Sequence, residues 1–200
     1  MSAEQVSSEL LRLELAGRVV VEFTEKEQPS TFADLSKFRD GTKLVSTTKQ
    51  LAWDTADKGF FTVNTPGTKA VVGFAEGKPQ HLGDVTLELQ CPYASLFVTA
   101  LDKGATLANA KSALVCIVAR NCNSGFKYFA VDGRTIDNGN APILLEPAKA
   151  AVTFANRAPE SVNILDHTGH RTERTLAVNG GRFTLDGAKE QTLYYEVVFK

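Results

Sequence analysis

The feature that most constrains this chain is a rhythm of short apolar, β-branched runs, each halted by Gly, Pro, Asn or Asp. Phe60-Phe61-Thr62-Val63-Asn64 halts at Pro66-Gly67, and Ala70-Val71-Val72-Gly73-Phe74 halts at Glu76-Gly77. Val85-Thr86-Leu87-Glu88-Leu89 alternates apolar with polar before Pro92, as a half-buried strand does when successive side chains point to opposite faces. The rhythm starts near Val19–Phe23 and continues through Ser95–Leu101, Ala113–Ala119, Lys127–Val131, Ile143–Glu146, Ala150–Phe154, Ser161–Asp166, Arg174–Val178 and Arg182–Leu185 to Leu193–Phe199. About a dozen strands at spacings of roughly 8–12 residues predict an all-β fold, an antiparallel, jelly-roll-like β-sandwich.

Helix is expected only before residue 40. Val6, Leu10, Leu11 and Leu13–Leu15 share one face of Ala3–Leu15, with Gly17 to end it, and Ser30–Phe38 reads as a shorter helical turn capped by Ser30 or Thr31. The expected division is a junction segment, 1–40, and a sandwich, 41–200.

Composition excludes several classes. With 22 basic and 23 acidic side chains the net charge is −1, so bulk charge does not recruit nucleic acid. Every apolar run is broken well short of the ~18 residues that span a bilayer, so no membrane partner is expected. Met1–Glu9 lacks the basic start of a signal peptide. The three cysteines, Cys91, Cys116 and Cys122, form no C-x-x-C pair and are expected as thiols, Cys116 in a strand core and Cys122 in a loop.

Several polar clusters carry side chains capable of chemistry. His167-Thr168-Gly169-His170 beside Asp166 spaces two imidazoles for a metal, but a solvated hairpin turn explains the segment. Asp132–Asn140 offers oxygens that would suit calcium, yet it lacks the Asp-x-Asp-x-Asp-Gly order, and Asx turns account for it without a cofactor. Nothing selects an acid–base pair from Glu22, Glu76, Glu88, Glu146 and Glu196, and no Gly-x-Ser-x-Gly elbow is present, so the chain is not expected to be an enzyme. The aromatic residues offer a different chemistry. Trp53, Tyr93, Phe126, Tyr128 and Phe129 could stack on the apolar faces of a polysaccharide or oligosaccharide, with Arg120, Asn121 and Asn123 bonding its hydroxyls.

Leu51-Ala52-Trp53-Asp54, then Gly59-Phe60-Phe61-Thr62-Val63-Asn64-Thr65-Pro66 and Lys69–Phe74, then Lys111–Asn121 with Ser124-Gly125, Ala141–Pro147 and Thr192–Glu196 carry a resemblance. Over roughly residues 40–200 the chain resembles the C-terminal β-sandwich that follows the TIM barrel in a group of large bacterial glycoside hydrolase-like proteins. The resemblance implies a non-catalytic accessory module, since the catalytic carboxylates of that group belong to the barrel. Its first expected role is binding plant or algal polysaccharide, and the alternative is a structural domain that packs on the barrel and binds no sugar. The second role predicts a bare apolar patch on the helix residues Val6, Leu10 and Leu13, and self-association as a homodimer when the barrel is missing. An extracellular or periplasmic location would follow from a signal peptide on the parent.

Overall fold

The computed structural model describes residues 16–18, 23, 25, 26, 34–131 and 133–200. The chain begins as a meander of β1 (Arg39–Asp40), β2 (Lys43–Val45), β3 (Leu51–Asp54), β4 (Phe60–Asn64) and β5 (Thr68–Gly73). It crosses to a second sheet for β6 (Gln80–Leu82) and β7 (Val85–Leu89), and returns for β8 (Ala94–Ala100) and β9 (Ser112–Val118). Four strands then lie outside both sheets: β10 (Asn121–Ser124), β11 (Lys127–Tyr128), β12 (Thr135–Asp137) and β13 (Asn140–Leu145). The second sheet takes β14 (Lys149–Phe154), the first takes β15 (Ser161–Leu165) and β16 (Arg171–Leu176), the second takes β17 (Arg182–Asp186), and β18 (Tyr194–Val198) closes in the first.

Ten strands form one sheet in the order β1-β2-β3-β4-β5-β8-β9-β18-β15-β16, and four form the other in the order β17-β14-β7-β6. Every pairing between neighbouring strands is antiparallel. The expected all-β, sandwich-like fold is what the chain forms.

Alternation along the strands builds the core. Leu96, Val98, Val115, Ile117, Tyr195 and Val197 from the first sheet meet Val85, Leu87, Leu89, Val152, Phe183 and Leu185 from the second in one buried cluster. At one end Phe154 stacks on Phe183 with centroids 6.4 Å apart and meets Phe199 edge-on at 5.1 Å. Burial of such side chains stabilises by about 1.5–3 kcal/mol each before entropy is counted, which makes this cluster the main source of stability.

Several expectations are corrected. Among the described residues the sheet starts at Arg39, ahead of the expected boundary at 41, because β1 pairs with β2 across the Gly41–Thr42 turn. Cys122 lies in β10, not in a loop, opposite Leu144. Cys116 does lie in a strand, but it is half-buried on the face of β9 opposite Val115 and Ile117, since parity places it outside the core. The helical turn near residue 38 is a 3₁₀ helix over Leu35–Phe38 capped by Asp34, whose Oδ1 accepts from the Ser36 N–H at 3.0 Å. The helix over Ala3–Leu15, the run Val19–Val21 and the caps Ser30 and Thr31 lie outside the described residues. No helix among the described residues is long and apolar enough to cross a membrane.

Candidate functional site

Between β9 and β14 the chain leaves the sandwich as a β-arm, a nested hairpin in which β10 pairs with β13 and β11 with β12. Its base is clamped twice. The Glu146 N–H donates to the Arg120 carbonyl at 2.9 Å, and the Arg120 guanidinium grips the Glu146 carboxylate by Nε–Oε2 at 2.6 Å and Nη2–Oε1 at 2.8 Å. That fork of hydrogen bonds holds the Glu146 carboxyl below its usual range. Farther out the Asn123 amide donates to the Asn138 carbonyl at 2.9 Å, and the Ser124 hydroxyl donates to the Pro142 carbonyl at 2.8 Å. Gly139 sits at φ +66° where a Cβ would lie 2.7 Å from the Phe126 nitrogen, so the crossing of the two strands requires glycine there.

The arm is apolar where it meets water. Of the eleven exposed large hydrophobic residues among those described, eight lie on it: Phe126, Tyr128, Phe129, Val131, Ile136, Ile143, Leu144 and Leu145. Register puts Ile143 and Leu145 on one face with Asn123 and Asn121, and Leu144 on the other with Cys122. Both faces therefore carry apolar side chains, and Ile143, Leu144 and Leu145 remain 63%, 51% and 46% exposed.

The residues expected to bind sugar divide between places. Arg120, Asn121, Asn123, Phe126 and Tyr128 come together on the arm or at its base, where the Phe126 and Tyr128 rings stand 6.2 Å apart with planes 31° from parallel. The Arg120 fork is already committed to Glu146. Trp53 lies half-buried in β3, cross-strand from Phe61 and Leu44. Tyr93 is half-buried in the loop before β8, its ring 5.1 Å from that of Phe74. These two do not join the arm's aromatic group.

The polar clusters resolve into local structure. Asp166 Oδ1 accepts from the Thr168 N–H at 2.8 Å, the Thr168 hydroxyl at 2.7 Å and the His170 N–H at 2.9 Å, so His167–His170 turns the β15–β16 hairpin around one carboxylate. Those donors, Thr168 first, pull the Asp166 pKa from 3.8 to about 2. Glu88 pairs with Arg182 at 2.8 Å, and Glu196 pairs with Arg171. No cluster of three or more His, Cys, Asp or Glu residues among those described could hold a metal ion.

A cavity of about 350 Å³, marked by no motif in the sequence, lies at one end of the sandwich. Lys69 of β5, Gly83 and Asp84 of the β6–β7 turn, the loop Thr106–Ala108, Phe154 at the end of β14, and Asn156 and Arg157 after it line it. Lys69 is only 9% exposed, its ammonium donating to Asn64 Oδ1 at 2.5 Å. Burial lowers its pKa, and the nearby Asp84 carboxylate opposes that shift. A sequence clue existed: Lys69 has the same strand parity as the fully buried Val71.

No protein-family model matches the chain, and no curated protein or solved structure matches it significantly.

Proposed function

We propose that this chain is a non-catalytic accessory β-sandwich of a larger glycoside hydrolase-like protein, and that its arm docks on the catalytic TIM barrel. One observation carries the proposal: among the described residues, eight of the eleven exposed large apolar side chains lie on a hairpin that neither sheet covers. Single exposed apolar residues are ordinary, but a concentration on one element marks an interaction surface. Five of the eight, Val131, Ile136, Ile143, Leu144 and Leu145, have no ring to lay against a sugar, so their chemistry fits a protein surface better. The tie to a barrel rests on the resemblance of residues 40–200 to sandwiches that follow one.

The test expresses the chain and a catalytic barrel of that group as separate polypeptides in one cell. Co-elution that is lost on Ile143→Asp with Leu145→Asp is the expected result. Failure to co-elute, or co-elution that survives both substitutions, overturns the proposal.

The Phe126–Tyr128 pair favours a second reading, a platform for polysaccharide. Affinity electrophoresis through soluble plant and algal polysaccharides separates the two: retardation by one polymer that disappears in Tyr128→Ala supports the platform. Migration unaffected by every polymer removes it.

A further inference from the structure

The end cavity differs from the arm in both place and chemistry, and no arm residue lines it. Its central oddity is Lys69, which occupies an inward position on β5. Burying a lysine there opposes folding unless its ammonium is partnered. Asn64, its cross-strand neighbour, accepts one hydrogen bond, and Gly83 stands beside the ammonium, where an added Cβ would lie 3.6 Å from Nζ. An ammonium has three donors, so capacity remains on the cavity side.

The other charged groups define what would fit. Asp84 is exposed at the cavity mouth, with one carboxylate oxygen accepting from the Asn156 amide at 2.7 Å, and a carboxylate has lone pairs for further donors. Arg157 directs both Nη groups at backbone carbonyls, Nη1 at Ala110 at 2.6 Å and Ala108 at 3.4 Å and Nη2 at Lys200 at 2.8 Å, and its guanidinium lies 4.3 Å from the Phe199 ring centroid. Lys69 and Asp84 thus face the cavity as one donor and one acceptor of opposite charge. An anion would meet Asp84, and a cation would meet Lys69. A neutral hydroxyl satisfies both sides, because it donates and accepts at once. Pro66, Leu107 and Phe154 add an apolar wall, and the volume falls at the low end of the about 300–1,000 Å³ typical of small-ligand sites.

We propose that this cavity is a binding site for one neutral sugar residue, with a vicinal pair of its hydroxyls bridging Lys69 and Asp84 and its C–H face against Leu107 and Phe154. The site is independent of the docking arm, so either can fail without the other.

The test titrates the intact chain with methyl glycosides of glucose, galactose, xylose and arabinose, following amide proton–nitrogen correlation spectra. Sodium acetate and sodium phosphate run as anionic comparisons. Saturable shifts at the amides of Gly83, Asp84, Leu107 and Asn156 with a glycoside are expected. The affinity should fall about tenfold or more in Lys69→Met and in Asp84→Asn, as loss of a charged hydrogen-bond partner implies, and stay unchanged in Tyr128→Ala. Asp84 lies on an exposed turn, so Asp84→Asn decides the matter if Lys69→Met does not fold. The proposal is overturned if no glycoside shifts those amides, if the shifts survive substitution, or if only acetate or phosphate produces them.

Discussion

Strands β7 and β13 are both apolar and both pair antiparallel, yet they meet opposite fates. In β7, Val85, Leu87 and Leu89 are at most 1% exposed, while Thr86 and Glu88 between them are half-buried. In β13 all six residues are exposed, including Ile143, Leu144 and Leu145 in succession. Alternation fits a strand with a wet face and a dry face within its own fold. A run of consecutive apolar residues on a two-stranded ribbon loads both faces, and no second layer among the described residues covers either one. The comparison teaches that hydrophobicity alone does not locate a core; the parity of the pattern and the number of neighbouring strands do.

The largest test of this contrast is a matched pair of truncations. Leu87→Ala should destabilise the chain by about 2–5 kcal/mol in urea denaturation, whereas Leu144→Ala should change stability by less than about 0.5 kcal/mol. Equal costs would mean that the arm is packed after all. Next in size is Gly139→Ala, which places a Cβ against the Ser124–Phe126 backbone at positive φ. A cost of about 1–3 kcal/mol is expected, confined to the arm. Hydrogen exchange should quicken at the Asn123–Ser124 and Asn140–Leu145 amides while β7 and β14 keep their protection.

A smaller effect concerns acid. Because folding lowers the Asp166 pKa from 3.8 to about 2, its contribution to stability is full above 3.8 and is lost as pH falls toward 2. Carboxyl carbon shifts should show a midpoint near the lower value, and Thr168→Ala, which removes the hydroxyl donor, should raise it. The smallest effect is expected at Tyr195, whose buried hydroxyl makes no hydrogen bond of normal geometry among the described residues but has its pKa raised by burial and by the nearby Glu190 carboxylate. Tyr195→Phe should change stability by less than about 1 kcal/mol, and a larger loss would reveal a working bond from that hydroxyl to Glu190.

Much of the body was legible in the sequence, because its strands alternate and end at turn formers. Phe60–Asn64 and Val85–Leu89 coincide with β4 and β7. The short polar strands Gln80–Leu82, Asn121–Ser124 and Thr135–Asp137 left no such trace, since cross-strand partners hold them and no periodicity marks them. The arm's exposure was equally hidden: Ile143–Leu145 looks like a core strand until β13 proves to have a single neighbour among the described strands. Lys69, Asp84 and Asn156 are far apart in sequence, and only the crossing of the chain between sheets sets them around one cavity.

The clamp between Arg120 and Glu146 has a consequence beyond holding the hairpin shut. Because the two stems of the arm leave the sandwich side by side, the 25 residues from Asn121 to Leu145 form an insert whose removal opens no gap in either sheet. Loop-closure entropy changes slowly with length, so such an insert can be shortened, extended or exchanged with little change to the body's free energy. The scaffold and the arm can therefore diverge separately, and replacing the insert with a tight turn should leave a folded sandwich without the apolar surface on which the proposed docking rests.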